Sequence, residues 1–144
     1  LGPGLWPSRG LWKLQRLLNQ HAFWAQGRSL GQLRQMLAGS AAVVSIWRGK
    51  RLVGFGRASS DGVFRAVLWD VVIPPDLQGQ GLGRQLVEAL LAAPALRGVT
   101  RTYLMTTNSA SFYRQLGFSD AAPQARCIHN NSITCIFSRS NINR

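Results

Sequence analysis

Two stretches of this chain gather residues that could do chemistry. In Gln78-Gly79-Gln80-Gly81-Leu82-Gly83-Arg84, glycines alternate with larger residues and an arginine closes the run. Glycine lets a backbone turn tightly and approach a ligand closely. The first amides of a helix lack internal partners and carry the positive end of its dipole, so a glycine turn feeding a helix can cradle an anion. A pyrophosphate is the natural guest, and Arg84 adds a full charge at the same end. The alternative is a plain tight turn. A nucleoside triphosphatase loop is disfavoured, because no Gly-Lys-Ser/Thr ending follows, and the glycine spacing is not that of the dinucleotide fingerprint. The second stretch is the apolar run before this turn, in which Asp70 is the only acid. A carboxylate there is costly unless it is paired or useful. It reads either as a proton acceptor or as one half of an ion pair with an arginine.

These groups need elements to hold them. Val67, Leu68, Val71, Val72 and Ile73 have the β-branched or apolar character of a buried strand, which Pro74 and Pro75 end because proline cannot donate to a ladder. Leu82, Leu86 and Leu90, with Val87 and Leu91 beside them, predict an amphipathic helix directly after the glycines. Upstream, residues 1–10 look irregular. Leu11 to Asn19 has helical spacing, and Ser29 is a fair N-cap for a second helix that Gly39 stops. Ala42–Trp47, Arg51–Ser59 and Arg65–Ile73 predict a three-strand meander, turned by Arg48-Gly49-Lys50 and Ser60-Asp61-Gly62. Pro94 breaks the long helix. A strand over Arg101–Thr106 and a short helix over Ser109–Leu116 follow. Cys127-Ile128 and Ile133–Phe137 suggest a last strand pair around Asn130-Asn131, and Ser138–Arg144 a frayed end.

The length of 144 residues fits one domain with one core, 1–144. An apolar share of 46% against 15% charged points to a globular chain, not a disordered one. No apolar run is long enough to span a bilayer, and Leu1-Gly2-Pro3-Gly4 does not begin a signal peptide. Cys127 and Cys135 form no metal or disulfide pattern and suggest reduced thiols in an intracellular compartment; His21 and His129 read as structural. The formal net charge of +12 attracts polyanions. The arginines are scattered and not interleaved with aromatics, so nucleic acid ranks last among partners.

The glycine run after a strand resembles the coenzyme A loop of the GNAT superfamily of N-acetyltransferases, with Gln78, Gly79, Gly81 and Gly83 at its positions. Asn108-Ser109-Ala110-Ser111-Phe112-Tyr113-Arg114-Gln115-Leu116-Gly117-Phe118 resembles the family's second cofactor motif. The resemblance covers roughly residues 11 to 120. Trp69-Asp70-Val71 looks most like the plastid and cyanobacterial branch, which implies a cytoplasmic or plastid-stromal protein. The implied fold is α+β (α/β), a mixed and mostly antiparallel central sheet flanked by helices, with 121–144 divergent.

The implied activity is transfer of an acetyl group from acetyl-CoA to a primary amine, by direct attack on the thioester and without a metal. The amine would be a protein N-terminus, a lysine or an arylalkylamine. Backbone groups of Val71, Val72 and Ile73 would pair with the pantetheine arm beside a strand bulge. Gln78, Gly79, Gln80, Gly81, Leu82, Gly83 and Arg84 would hold the pyrophosphate, and Asn108 would hold the cofactor arm, cap the following helix, or both. Tyr113, a phenol that stays protonated at neutral pH, would be general acid for the leaving thiolate, and Asp70 a candidate base. A glutamate that some relatives carry on the strand before the asparagine is missing; Tyr103 stands near its place. Phe23, Trp24 and Met36 would lie near the acceptor or in the core, and Glu88 would be solvated. The chain would be a monomer or homodimer. The competing reading is a catalytically silent module that binds coenzyme A or a protein.

Overall fold

The computed structural model describes residues 6–120, 126–129 and 132–141. The expectations on residues 1–5, on the Asn130-Asn131 turn and on 142–144 lie outside these. Helix α1 (Ser8–His21) starts inside the stretch predicted as irregular, with Pro7 at its N-cap. Proline pre-sets the dihedral and gives up an amide that a helix start would leave unpaired anyway. Leu11, Leu14, Leu17 and Leu18 form its buried face. Helix α2 (Leu30–Gly39) opens on a capping box: Ser29 Oγ accepts from the Gln32 amide at 3.1 Å, and Gln32 Oε1 accepts from the Ser29 amide at 2.9 Å. Such a cap contributes about 1 kcal/mol.

Strands β1 (Ala42–Arg48), β2 (Arg51–Ser60) and β3 (Arg65–Val72) form the expected antiparallel meander. Helix α3 (Leu82–Ala92) and the short α4 (Pro94–Arg97) cross over to β4 (Arg101–Thr106), which lies parallel to β3. Helix α5 (Ala110–Gln115) leads to β5 (Ser119–Asp120), β6 (Arg126–His129) and β7 (Ser132–Ser140). The sheet order is β1-β2-β3-β4-β7-β5, with β6 also on β7. It is mixed and mostly antiparallel, as the sequence implied. Ser138–Ser140 are not frayed: they pair with Tyr103, Thr102 and Arg101 of β4, because the ladder continues where side-chain patterning stops.

One apolar cluster packs α1 and α2 on Phe55 and Val72; another packs α3 and α5 on Ala58, Leu68, Leu104 and Phe137. Strict alternation would put Leu68 and Val72 on the same face. They lie in different clusters because β3 holds one extra residue between the pairs Arg57↔Trp69 and Phe55↔Val72. The bulge reverses the facing of the strand's end. Asp70 sits in it with φ 55°, the one non-glycine residue in the left-handed region among the described residues.

Candidate functional site

Strands β3 and β4 are paired only from Arg65↔Arg101 to Val67↔Tyr103. Beyond that they part, and a cavity of about 380 Å³ opens in the gap. Its walls include Leu68–Val71 of β3, Leu104–Thr106 of β4, Thr107–Ser109, Tyr113 of α5, and Phe23 and Trp24 from the α1–α2 connection. Asp70, Val71, Asn108 and Tyr113, widely separated in sequence, thus meet in one place.

Tyr113 is buried against Phe112 and Phe118, whose ring centroids lie 4.9 and 5.8 Å from its own. Among the described residues its hydroxyl has no protein hydrogen-bond partner. Burial pushes the phenol up to about 12. The Asn108 side chain is exposed, and its Oδ1 accepts from Ser109 Oγ at 3.2 Å. Ser109 is the residue before α5, but neither side chain caps that helix.

Asp70 is ion-paired. Its Oδ1 accepts from Trp24 Nε1 at 2.9 Å and Arg28 Nη2 at 3.3 Å; its Oδ2 accepts from Arg28 Nη1 and Arg57 Nε, each at 2.8 Å. Burial works to raise this carboxyl, but hydrogen bonds and charge from Arg28 and Arg57 outweigh it and hold it below its ordinary value. A carboxylate so held is a weak base. Nothing in the spacing singled out Arg28 or Arg57; the only signal was the counter-charge that a lone acid in an apolar strand demands. Met36 stays outside the cavity wall, where Arg28 Nη1 approaches its sulfur at 3.3 Å.

The glycine turn lies outside this cavity wall, past the end of β3. Gly81 is the N-cap of α3, with φ 82°, and gives no side-chain cap. No acceptor among the described residues takes the main-chain N–H groups from Gly79 to Arg84; the first bond of the helix is Gln85 N to Gly81 O, 3.1 Å. This is the open donor set that an anion requires. Gly83 is glycine for a different reason: a Cβ there would lie 3.0 Å from the Phe112 ring, so helix α3 meets α5 through a missing side chain. Gln78 Nε2 donates to Ile73 O at 3.1 Å, folding the turn back on the strand. Arg48 Nη2 donates to Gln80 Oε1 at 3.0 Å, and Arg84 pairs with exposed Glu88 at 3.3 Å. The side chains of Val72, Ile73 and Leu82 are apolar packing groups, which leaves only their main chain for a ligand. Among the described residues no group of three or more His, Cys, Asp or Glu could hold a metal ion, and no helix is long and apolar enough to cross a membrane.

Residues 11–118 match the Acetyltransferase (GNAT) family. The chain is 37% identical over 120 residues to "Histone acetyltransferase TAP1" of Glycine max, covering 83% of this chain and 48% of that protein. It is 49% identical over 70 residues to "Serotonin N-acetyltransferase 2, chloroplastic" of Oryza sativa subsp. japonica, covering 48% of this chain and 35% of that one. The chain therefore spans about half the length of such relatives, or less. Among solved structures, an aminoglycoside 6'-N-acetyltransferase complexed with coenzyme A shares the fold at a TM-score of 0.77 and 19% identity, over 96% of this chain and 94% of that one.

Proposed function

This chain belongs to the GNAT acetyltransferase family, and from that premise we propose that it transfers the acetyl group of acetyl-CoA to a primary amine. The observation that carries the proposal is the parting of β3 from β4 at a bulge, with an unpartnered, buried phenol facing the gap. The pantetheine arm lies along the main chain of Val71–Ile73, where β3 has lost its β4 neighbour. Gln78 to Arg84 hold the pyrophosphate through the free amides past Gln78. Asn108 steadies the arm from the opposite wall.

The amine attacks the thioester carbon, the C–S bond breaks, the departing sulfur takes a proton from Tyr113, and the proton that the new amide nitrogen sheds passes through water to restore the phenol. A phenol raised toward 12 is fully protonated at neutral pH and donates without losing its proton to solvent first. Asp70 and Tyr113 are the titratable groups of the wall among the described residues. With Asp70 locked by two arginines, the ammonium sheds its proton to water before attack. Asp70 is then a positioning residue that fixes Trp24 and Arg28 beside the acceptor. The chloroplastic rice relative supports a plastid location.

Two measurements test this. Tyr113→Phe lowers kcat about a hundredfold while coenzyme A still binds; unchanged turnover near neutral pH removes the acid role. In the unaltered protein, kcat/KM climbs with pH along the acceptor's own ammonium titration and has no falling limb below about pH 10. Coenzyme A binding with no acetylated product from any amine would leave a binding module instead.

A further inference from the structure

We propose that the cleft discriminates among acceptors by charge, taking amines with a single positive charge and rejecting those that bring a second one. The inference rests on the acetyltransferase reading and adds the substrate class. Phe23 and Trp24 line the gap, 56% and 49% exposed, with ring centroids 5.1 Å apart and planes at 90°. Two large aromatic surfaces left open in one wall suit a ring. The Trp24 ring is also fixed: its Nε1 is committed to Asp70, so its face is presented in one orientation.

Charge supplies the discrimination. An acceptor with two ammonium groups needs a carboxylate for the group that does not react. The chain has only five Asp and Glu residues, and all are engaged. Asp76, Glu88 and Asp120 pair with Arg51, Arg84 and Arg114. Asp61 accepts from the amides of Val63, Phe64 and Arg65 in the β2–β3 turn. Asp70, the one acid in the wall, already receives two donors on each oxygen. Two guanidiniums on one carboxylate leave a net positive charge at the group that holds the Trp24 indole, in a protein of formal charge +12. A second ammonium would find repulsion there and no free carboxylate to pair with.

The test compares phenethylamine with its ring-aminomethyl and ring-hydroxymethyl derivatives and a lysine-rich peptide, each with acetyl-CoA at neutral pH. The aminomethyl compound should fall about tenfold below phenethylamine in kcat/KM, the hydroxymethyl one far less. The gap should narrow at high salt, because the repulsion is screened. Arg28→Gln, which leaves Asp70 neutralised by Arg57 alone, should narrow it at low salt. Equal or better turnover of the aminomethyl compound or the peptide overturns the proposal, as does an equal penalty for the hydroxymethyl control. No acetylated product from any of these amines would overturn the acetyltransferase reading itself.

Discussion

From Gly79 to Arg84 the main-chain N–H groups have no protein acceptor among the described residues, whereas each oxygen of the Asp70 carboxylate already takes two donors. The glycine turn is built of unused hydrogen-bonding capacity, the Asp70 network of capacity fully spent. An open donor set belongs where a ligand completes it. A satisfied network belongs where side chains must stay in place and present only their faces. The difference predicts that damage at the turn shows in cofactor binding, and damage at the network in folding and acceptor choice.

The largest effect is expected from Asp70→Ala. The Asp70 side chain is only 2% exposed, so its loss strands two guanidiniums that are 28% and 20% exposed. Breaking such a pair costs about 3 kcal/mol, the low end of the usual range because both arginines keep some water. Chemical denaturation should read this loss, while coenzyme A affinity measured by calorimetry should barely change. A matched fall in coenzyme A affinity would dissolve the contrast between the two regions. The same network sets an acid limit. The folded carboxyl titrates below its ordinary value of 3.8, so its stabilisation is complete above that pH and drains away as pH falls further. In Asp70→Asn, whose amide cannot titrate, the melting temperature should decline less steeply through this acid range than in the parent.

The contrast also explains what the sequence made legible. The glycine turn is contiguous and its open donors are main-chain amides, so Gln78 to Arg84 announce it in a row. The meander and the α3 face follow from strict periodicities, and Ser29 from capping chemistry. The ion-pair network joins Trp24, Arg28, Arg57 and Asp70, which share no local pattern; the fold alone brings them within 3.3 Å. Only the lone acid hinted that a counter-charge must exist. The bulge came only with the resemblance, because an extra residue in a strand leaves the composition of the strand unchanged. Ser138–Ser140 were misread because polar residues on a paired strand look like a tail.

A smaller effect is expected from Gly81→Ala, which probes the glycine turn. A Cβ there meets nothing within 4 Å, so the only cost is holding alanine at φ 82°. That strain is about 1 kcal/mol. It is relieved by rotating the peptide that leads into Leu82, and this turns an amide away from the cradle. Coenzyme A affinity should fall about fivefold, with phenethylamine preference over its aminomethyl derivative unchanged. Altered acceptor preference without weaker coenzyme A binding would place the anion elsewhere.

The smallest effect belongs to Arg48→Ala and sharpens the contrast most finely. Arg48 reaches from the end of β1 to Gln80 Oε1 at 3.0 Å, on the exposed surface. An exposed hydrogen bond of this kind contributes only a few tenths of a kcal/mol to stability, so the melt should hardly move. Its charge nevertheless stands beside the free amides, where a pyrophosphate would sit. Removing it should weaken coenzyme A binding about threefold at low salt, and the deficit should vanish at high salt as the lost attraction is screened. A deficit that persists at high salt would mean that Arg48 acts by holding Gln80 in shape. The turn would then depend on side-chain contacts after all, as the Asp70 network does.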